Sequence, residues 1–256
     1  MQAPRSELPD LTADILDRIR LKRPRVHCLT NAVAQSFTAN VLLAAGAVPS
    51  MTIAPKEIAG FVARADALLV NLGTFDAERR KAAVTAIAAA RKAGIPWVLD
   101  PVFIDRSKPR AAFAKTLVAK KPTVVRLNLA EFRALAGTPS DTRALARYAK
   151  SKRSVIGLTG ESDFVHDGER LATIANGHPL MARVTAMGCA GAALVAACLA
   201  VERDPWRATT AALIAFGVAG EIAAARARGP GSLATEIVDA IYALDRATLM
   251  QKARVS

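Results

Sequence analysis

The stretch "ALLVNLGTFDAERRKAAVTAIAAARKAGIPWVLDP", residues 67–101, carries the pattern from which the fold can be read. It opens with a short apolar run that stops at Gly73 and Thr74, a length suited to a strand and too short for a helix. The longer segment that follows has Asp76 placed as an N-cap and Gly94 placed to end the helix. A second apolar run, "PWVLDP", closes on Asp100-Pro101. Strand, helix and strand of these lengths form a βαβ unit, whose crossover helix makes the two strands parallel.

The same rhythm extends in both directions. "VHCLT", "PSMTI", "TVVRLN" and "SVIGLTG" read as further strands, each ending in polar or turn residues. Between them, "AVAQSFTANVLLAAGA", "PKEIAGFVARA" and "PRAAFAKTLVAKK" read as helices. After "SVIGLTG" the rhythm changes: Asp167-Gly168 between two alternating runs predicts a β-hairpin. From Gly188 to about Met250 the chain reads as almost entirely helical, and Ser232 is expected to cap the helix after "GPGS". The expected fold class is α/β: a mostly parallel central sheet flanked by helices, with a β-hairpin and a helical C-terminal third. Residues 1–24 read as a helical N-terminal extension and residues 25–256 as a single domain.

Composition bounds the partners. Hydrophobic residues make up 52% of the 256, enough for a sizeable core. The apolar segments deep in the chain read as core helices, so no membrane partner is expected. Three cysteines, Cys28, Cys189 and Cys198, form no CxxC or Cys/His pattern, which suits a reducing compartment and a cytoplasmic location. The net charge of +13 favours anionic partners. Aromatics, however, are only 5% and are not interleaved with basic residues, so stacking on nucleic-acid bases is not expected. Basic clusters such as "RLKRPR" read instead as solvated faces.

In open parallel sheets, ligands collect at the carboxyl ends of the strands. Those ends carry Thr30-Asn31, Asn71 to Thr74, Asp100, Arg126 with Asn128, and Thr159 to Glu161. "VTAMGC", residues 184–189, precedes a long apolar helix, and its backbone N–H groups at Ala186, Met187, Gly188 and Cys189 can converge on an anion. A cysteine at that helix start is expected to have a lowered pKa, although residue type alone favours a packed side chain. Arg126 suits polyphosphate by its planar fork, and Glu131 and Asp100 suit Mg²⁺. Taken singly, Glu131 reads first as a carboxylate serving the helix dipole, and Asp100 reads equally as a turn former.

Taken together, "TNAVAQSFTANVLLAAGAVPSM", "NLGT", "LDPV", "VRLNLAE", "LTGESD", "VTAMGC" and "GPGS" occur in the order found in hydroxyethylthiazole kinases, which the chain resembles from about Val26 to Leu244. The resemblance implies a ribokinase-like kinase domain and ATP- and Mg²⁺-dependent phosphorylation of the primary alcohol of 4-methyl-5-(2-hydroxyethyl)thiazole, a step of thiamine biosynthesis and salvage. It implies that Arg126 and Thr159, with Asn128, bind ATP. Met51, Asn31, Gly73 and Ala186 would line the thiazole pocket, and Asp100 and Glu131 would serve the metal. Cys189, Gly188, Met187 and Ala186 would form the catalytic turn, and a homotrimer with pockets at subunit boundaries is implied.

The sequence departs from the family pattern where Ala186 replaces a glycine, a change that is tolerable at negative φ and costly at positive φ. It also departs in the bulkier loop of residues 102–106 and in a shorter region between Glu131 and "SVIGLTG". Two rival readings stay open: a kinase of another small heterocyclic alcohol, and a homologue that binds nucleotide or thiazole with weakened catalysis.

Overall fold

The computed structural model describes residues 7–137 and 141–256; residues 1–6 of the expected extension, and 138–140 within the shortened region, lie outside the described residues. In chain order the elements are α1 (Leu8–Lys22), β1 (Arg25–Leu29), a 3-10 turn (Ala32–Ala34), α2 (Gln35–Ala45), β2 (Val48–Ser50) and α3 (Ile58–Ala63). Then come β3 (Ala67–Asn71), α4 (Ala77–Ala93), β4 (Trp97–Asp100), α5 (Lys108–Val118), β5 (Val124–Asn128), α6 (Leu129–Ala136) and α7 (Thr142–Lys152). The remainder is β6 (Val155–Thr159), β7 (Asp163–His166), β8 (Leu171–Ile174), a 3-10 turn (Pro179–Arg183), α8 (Met187–Val201), α9 (Pro205–Arg226), α10 (Pro230–Ala243) and α11 (Arg246–Lys252).

The strands form one eight-stranded sheet in the order β2-β1-β3-β4-β5-β6-β7-β8. Every pairing from β2 to β6 is parallel, and β6-β7-β8 are antiparallel through the hairpin. The central strand β3 is buried along its whole length because helices cover both faces of the sheet. Its side chains alternate between two cores: Leu69 faces the layer of α1, α2, α8, α9 and α10, whereas Leu68 and Val70 face the layer of α3 to α7.

Local chemistry sets the helix limits. Asp76 accepts the amide hydrogen of Arg79 to open α4, and Gly94 closes that helix at φ 69°. Helix α8 reads as apolar on all sides because almost all of its residues are buried, and α9 is apolar and buried from Ala208 to Gly220. Among the described residues, α9 is long and apolar enough to cross a membrane by composition, but 78% of that window is buried inside the protein.

Two expectations are corrected. Strand β2 ends at Ser50, because its pairing with β1 reaches only from Val48 to Ser50, so residues 51–53 leave the sheet. Ser232 does not cap α10: the helix opens at Gly229, with Pro230 supplying a pre-set φ and no amide hydrogen to satisfy. The Ser232 hydroxyl instead accepts from Arg228 N and donates to the Gly229 carbonyl.

Candidate active site

The carboxyl ends of β1, β3, β4, β5 and β6 lie side by side along one edge of the sheet, facing the start of α8. Parallel register places Asn71 beside Asp100 and Asn128 beside Thr159. A buried polar chain crosses this edge. Asn31 Nδ2 donates to Cys189 Sγ at 3.1 Å and lies 3.4 Å from Asn71 Oδ1. Asn71 Oδ1 accepts from Gly73 N at 2.9 Å, and Asn71 Nδ2 donates to Asp100 Oδ2 at 2.7 Å. Gly73 is required by this packing, since a Cβ there would lie 2.6 Å from Asn31 Nδ2. Asn31 Oδ1 is buried without a partner, which leaves an acceptor free beside the cysteine.

Burial dominates the titration of this chain. The Cys189 thiol is pushed up to about 11, first by burial and then by the nearby Asp100 charge. The expected thiolate is therefore corrected: the helix N-terminus favours the anion, but desolvation outweighs it and the sulfur stays protonated at neutral pH. Asp100 is pushed up to about 7 by burial, with Arg126 pulling the other way and Glu131 reinforcing the rise.

The two acidic residues are held differently. Glu131 Oε1 accepts from Phe103 N and Oε2 from Asn128 N, while Asn128 Oδ1 accepts from Glu131 N, forming a capping box at the start of α6. Glu131 thus anchors the 102–106 loop, holding Phe103 in the left-handed region at φ 59°. Asn128 serves as this cap and does not line the cavity described below.

The turn before α8 supplies the positive pole. No side chain caps α8, so the first-turn amide hydrogens have neither an intrahelical nor a side-chain acceptor. Ala186 precedes them at φ 68°, a left-handed conformation that costs an L-residue roughly 1–2 kcal/mol. The orientation that glycine would give is thus kept at the expense of strain. Gly188 lets the Arg126 guanidinium approach, since a Cβ there would lie 2.9 Å from Arg126 Nη1. Arg126 Nε is itself buried without a hydrogen-bond partner.

Arg126, Thr159, Met187 and Gly188 line a cavity of about 810 Å³ that runs from the α8 turn along β6 and the hairpin to α9. Residues 175–177 line it as well, with Leu213, Phe216 and Gly217 of α9. Asp163, whose carboxyl is pushed up to about 6 mainly by burial, accepts from Gly160 N on the cavity wall. Met51 lies outside this cavity, one residue beyond β2, partly buried against the core.

The structure thus brings together Arg126, Thr159, Met187 and Gly188 around the cavity, and Asn31, Gly73, Asp100 and Cys189 in the polar chain beside it. Asn71, which joins the members of that chain, was legible only as a strand-end polar residue. The wall at 175–177 and Gly217 gave one local signal, a glycine inside an apolar helix, which marks close approach of another segment.

The model of the hydroxyethylthiazole kinase family matches residues 16–247. A hydroxyethylthiazole kinase from Granulibacter bethesdensis is 46% identical, over 96% of this chain and 95% of its own length. The solved hydroxyethylthiazole kinase of Pyrococcus horikoshii superposes with a TM-score of 0.92 at 35% identity, covering 96% of this chain and 98% of that one. A ribokinase-like superfamily protein from Enterococcus faecalis shares the fold with a TM-score of 0.70 at 15% identity, over 90% and 93% of the two chains. The fold is therefore ribokinase-like, and the chain belongs to the hydroxyethylthiazole kinase family.

Proposed function

We propose that this protein transfers the γ-phosphoryl group of ATP to the primary alcohol of 4-methyl-5-(2-hydroxyethyl)thiazole in thiamine biosynthesis or salvage. The observation that carries this reading is the meeting, at Gly188, of uncapped first-turn amide hydrogens with a guanidinium whose Nε has no partner. Such a pole suits a polyphosphate end. Thr159 lines the same cavity, and the apolar side chains of Leu213 and Phe216 on its wall suit a nucleotide base.

Phosphoryl transfer depends on positioning and charge stabilisation more than on covalent help. The amide hydrogens of Met187, Gly188 and Cys189 would hold the equatorial oxygens of the migrating group, with Arg126 sharing its charge. Cys189, protonated and hydrogen-bonded by Asn31, would orient the acceptor hydroxyl, Asn31 Oδ1 would accept a hydrogen bond from it, and its proton would pass to an oxygen of the transferred phosphoryl group as the new O–P bond forms. In a loose transition state the attacking oxygen gains little charge until late, so an orienting thiol suffices. Met51 and Gly73 would contact the ring.

Mg²⁺ fits the donor set as a cation that brings phosphate oxygens with it and needs few protein carboxylates. No group of three or more acidic, histidine or cysteine ligands occurs among the described residues. Asp100 would hold the ion, with Glu131 behind it, since both Glu131 oxygens already accept backbone hydrogens. When bound, the cation supplies neutralisation of the polyphosphate charge.

The family pattern of homotrimers with boundary sites is supported here by exposed apolar side chains on β2 and on the segments that precede and follow it: Val33, Leu43, Val48 and Phe61. Buried, unpaired cysteines fit a cytoplasmic location. The decisive experiment gives the purified protein γ-labelled ATP, Mg²⁺ and a panel of hydroxyethyl- and hydroxymethyl-substituted heterocycles. The thiazole alcohol is expected to be the best acceptor, and label transfer to none of them by folded protein overturns the reading. Cys189→Asp is expected to preserve or raise the rate, because a carboxylate orients the same hydroxyl and is the stronger base.

A further inference from the structure

Helix α9 is apolar along most of its length, yet Gly217, Gly220 and Glu221 interrupt it. A glycine inside a helix costs about 1 kcal/mol against alanine, so two within one turn call for a reason, and the structure supplies it. A Cβ at residue 217 would lie 2.8 Å from the Asn176 Cβ and carbonyl oxygen, and one at residue 220 would collide with Met181 Sδ. The pair forms a notch that seats residues 175–181 directly on the helix. Glu221, one turn beyond Gly217 on the same face, then clasps that segment.

The Glu221 carboxylate is shared among several donors. Oε1 accepts from Gly177 N at 2.8 Å and from Arg254 Nη2 at 2.6 Å. Asn176 Nδ2 reaches both oxygens at 3.2 Å and also donates to the Lys252 carbonyl at 2.9 Å. Asn176 Oδ1 accepts from Arg254 N at 2.6 Å, and Arg254 Nη2 donates to the Ala175 carbonyl at 2.6 Å. Beyond α11, residues 253–256 run antiparallel to β8, with Thr173 and Ser256 exchanging backbone hydrogen bonds of 2.7 and 2.9 Å. Residues 175–177 are thereby held by α9, by β8 and by the segment after α11. The same residues line the large cavity described above.

We propose that Glu221, acting through Gly177, Asn176 and Arg254, is a positioning residue for the nucleotide: it sets the place of the 175–177 wall and so the affinity for ATP, without taking part in phosphoryl transfer. The inference rests on the reading of this cavity as the nucleotide site. Glu221 touches none of the groups at the α8 turn, so its loss should act on nucleotide binding alone. Arg254 is more than half exposed and its ion pair is screened by solvent, so its share is the smaller one.

The test compares Glu221→Ala, Glu221→Gln and Arg254→Ala with the unaltered protein in steady-state kinetics, with the thiazole alcohol and ATP varied separately. Glu221→Ala is expected to raise the KM for ATP about tenfold while kcat and the KM for the alcohol stay within about twofold. Glu221→Gln keeps an acceptor for the Gly177 amide and should raise it only two- to threefold, and Arg254→Ala about twofold. A lowered thermal midpoint with an unchanged KM for ATP would show a purely structural clasp and overturn the proposal. If Glu221→Ala fails to fold, Glu221→Gln decides, and an unchanged KM there is equally fatal. Titration with a non-hydrolysable ATP analogue separates this inference from the kinase reading. Weakened binding in the Glu221 variants supports it even if no thiazole alcohol is phosphorylated, and equal binding sinks it even if one is.

Discussion

The two sides of the α8 turn handle charge in opposite ways. On the proposed acceptor side, Asn31, Asn71, Asp100 and Cys189 are buried and tied to one another, and both ionisable members are driven towards their neutral forms. On the proposed nucleotide side, Arg126 and the uncapped amide hydrogens of α8 border an open cavity of about 810 Å³. A side built from neutral hydrogen-bonding groups orients an uncharged alcohol. A side that concentrates positive potential holds a polyanion. The transferring group would cross from one to the other where Gly188 and Cys189 stand next to each other in the turn.

Removing the cation should distinguish the two sides most sharply. Arg126→Ala is expected to lower kcat/KM for ATP by roughly a hundredfold to a thousandfold, the range found when a charge-stabilising donor is deleted, while the acceptor-side chain stays formed. Gly188→Ala should produce a weaker version of the same defect, because its Cβ would push at Arg126 Nη1, the end of a flexible side chain. An equal loss in the KM for the alcohol in either variant would blur the division drawn here.

A pH series sharpens the comparison from the acceptor side. Asp100 is raised from 3.8 to about 7 in the folded protein, so the folded state binds the proton more tightly than the unfolded state. Its contribution to stability is present below the unfolded pKa and is lost as pH rises through the folded one. Asp163 acts in the same sense, with its pKa raised to about 6. Asp76, Asp167, Asp204 and Asp245, lowered by hydrogen bonds, act in the opposite sense at lower pH. The thermal midpoint of Asp100→Asn is therefore expected to gain on that of the unaltered protein as pH is raised from about 4 to about 7. A constant difference across that range would place Asp100 in a more solvated site than the structure shows.

The smallest expected effect lies in the turn itself. Ala186→Gly removes a left-handed alanine, worth roughly 1–2 kcal/mol, but adds the backbone entropy of glycine, about 0.5–1 kcal/mol. A net gain of up to about 1.5 kcal/mol, centred near 0.75, should raise the thermal midpoint by about 2 °C, with unchanged turnover. A fall in turnover would mean that the strain at Ala186 is part of the mechanism.

Much of this site could be read from local signals. Strand ends in a parallel sheet point to a shared edge, and that places Asn31, Asp100, Arg126 and Thr159 together before any coordinates. The capping box of Asn128 and Glu131 is a short-range pattern, yet its consequence is not: that Glu131 also holds Phe103 N depends on a loop 28 residues away in sequence. The Cys189 thiol shows the same limit. Its place at a helix start is local and suggests a thiolate, whereas the burial that reverses the prediction depends on packing against segments distant in the chain, with Asn31, more than 150 residues earlier, against the sulfur.

By itself, the sequence determined the α/β alternation, the parallel strands, the hairpin and the edge on which chemistry-bearing residues collect, because each follows from periodicity and turn chemistry within a few residues. Only the tertiary structure decided protonation at Cys189 and Asp100, the left-handed φ of Ala186 and the clasp of Glu221 on residues 176 and 177. Those properties depend on desolvation and on partners distant in the chain, and neither is encoded in any short window of residues.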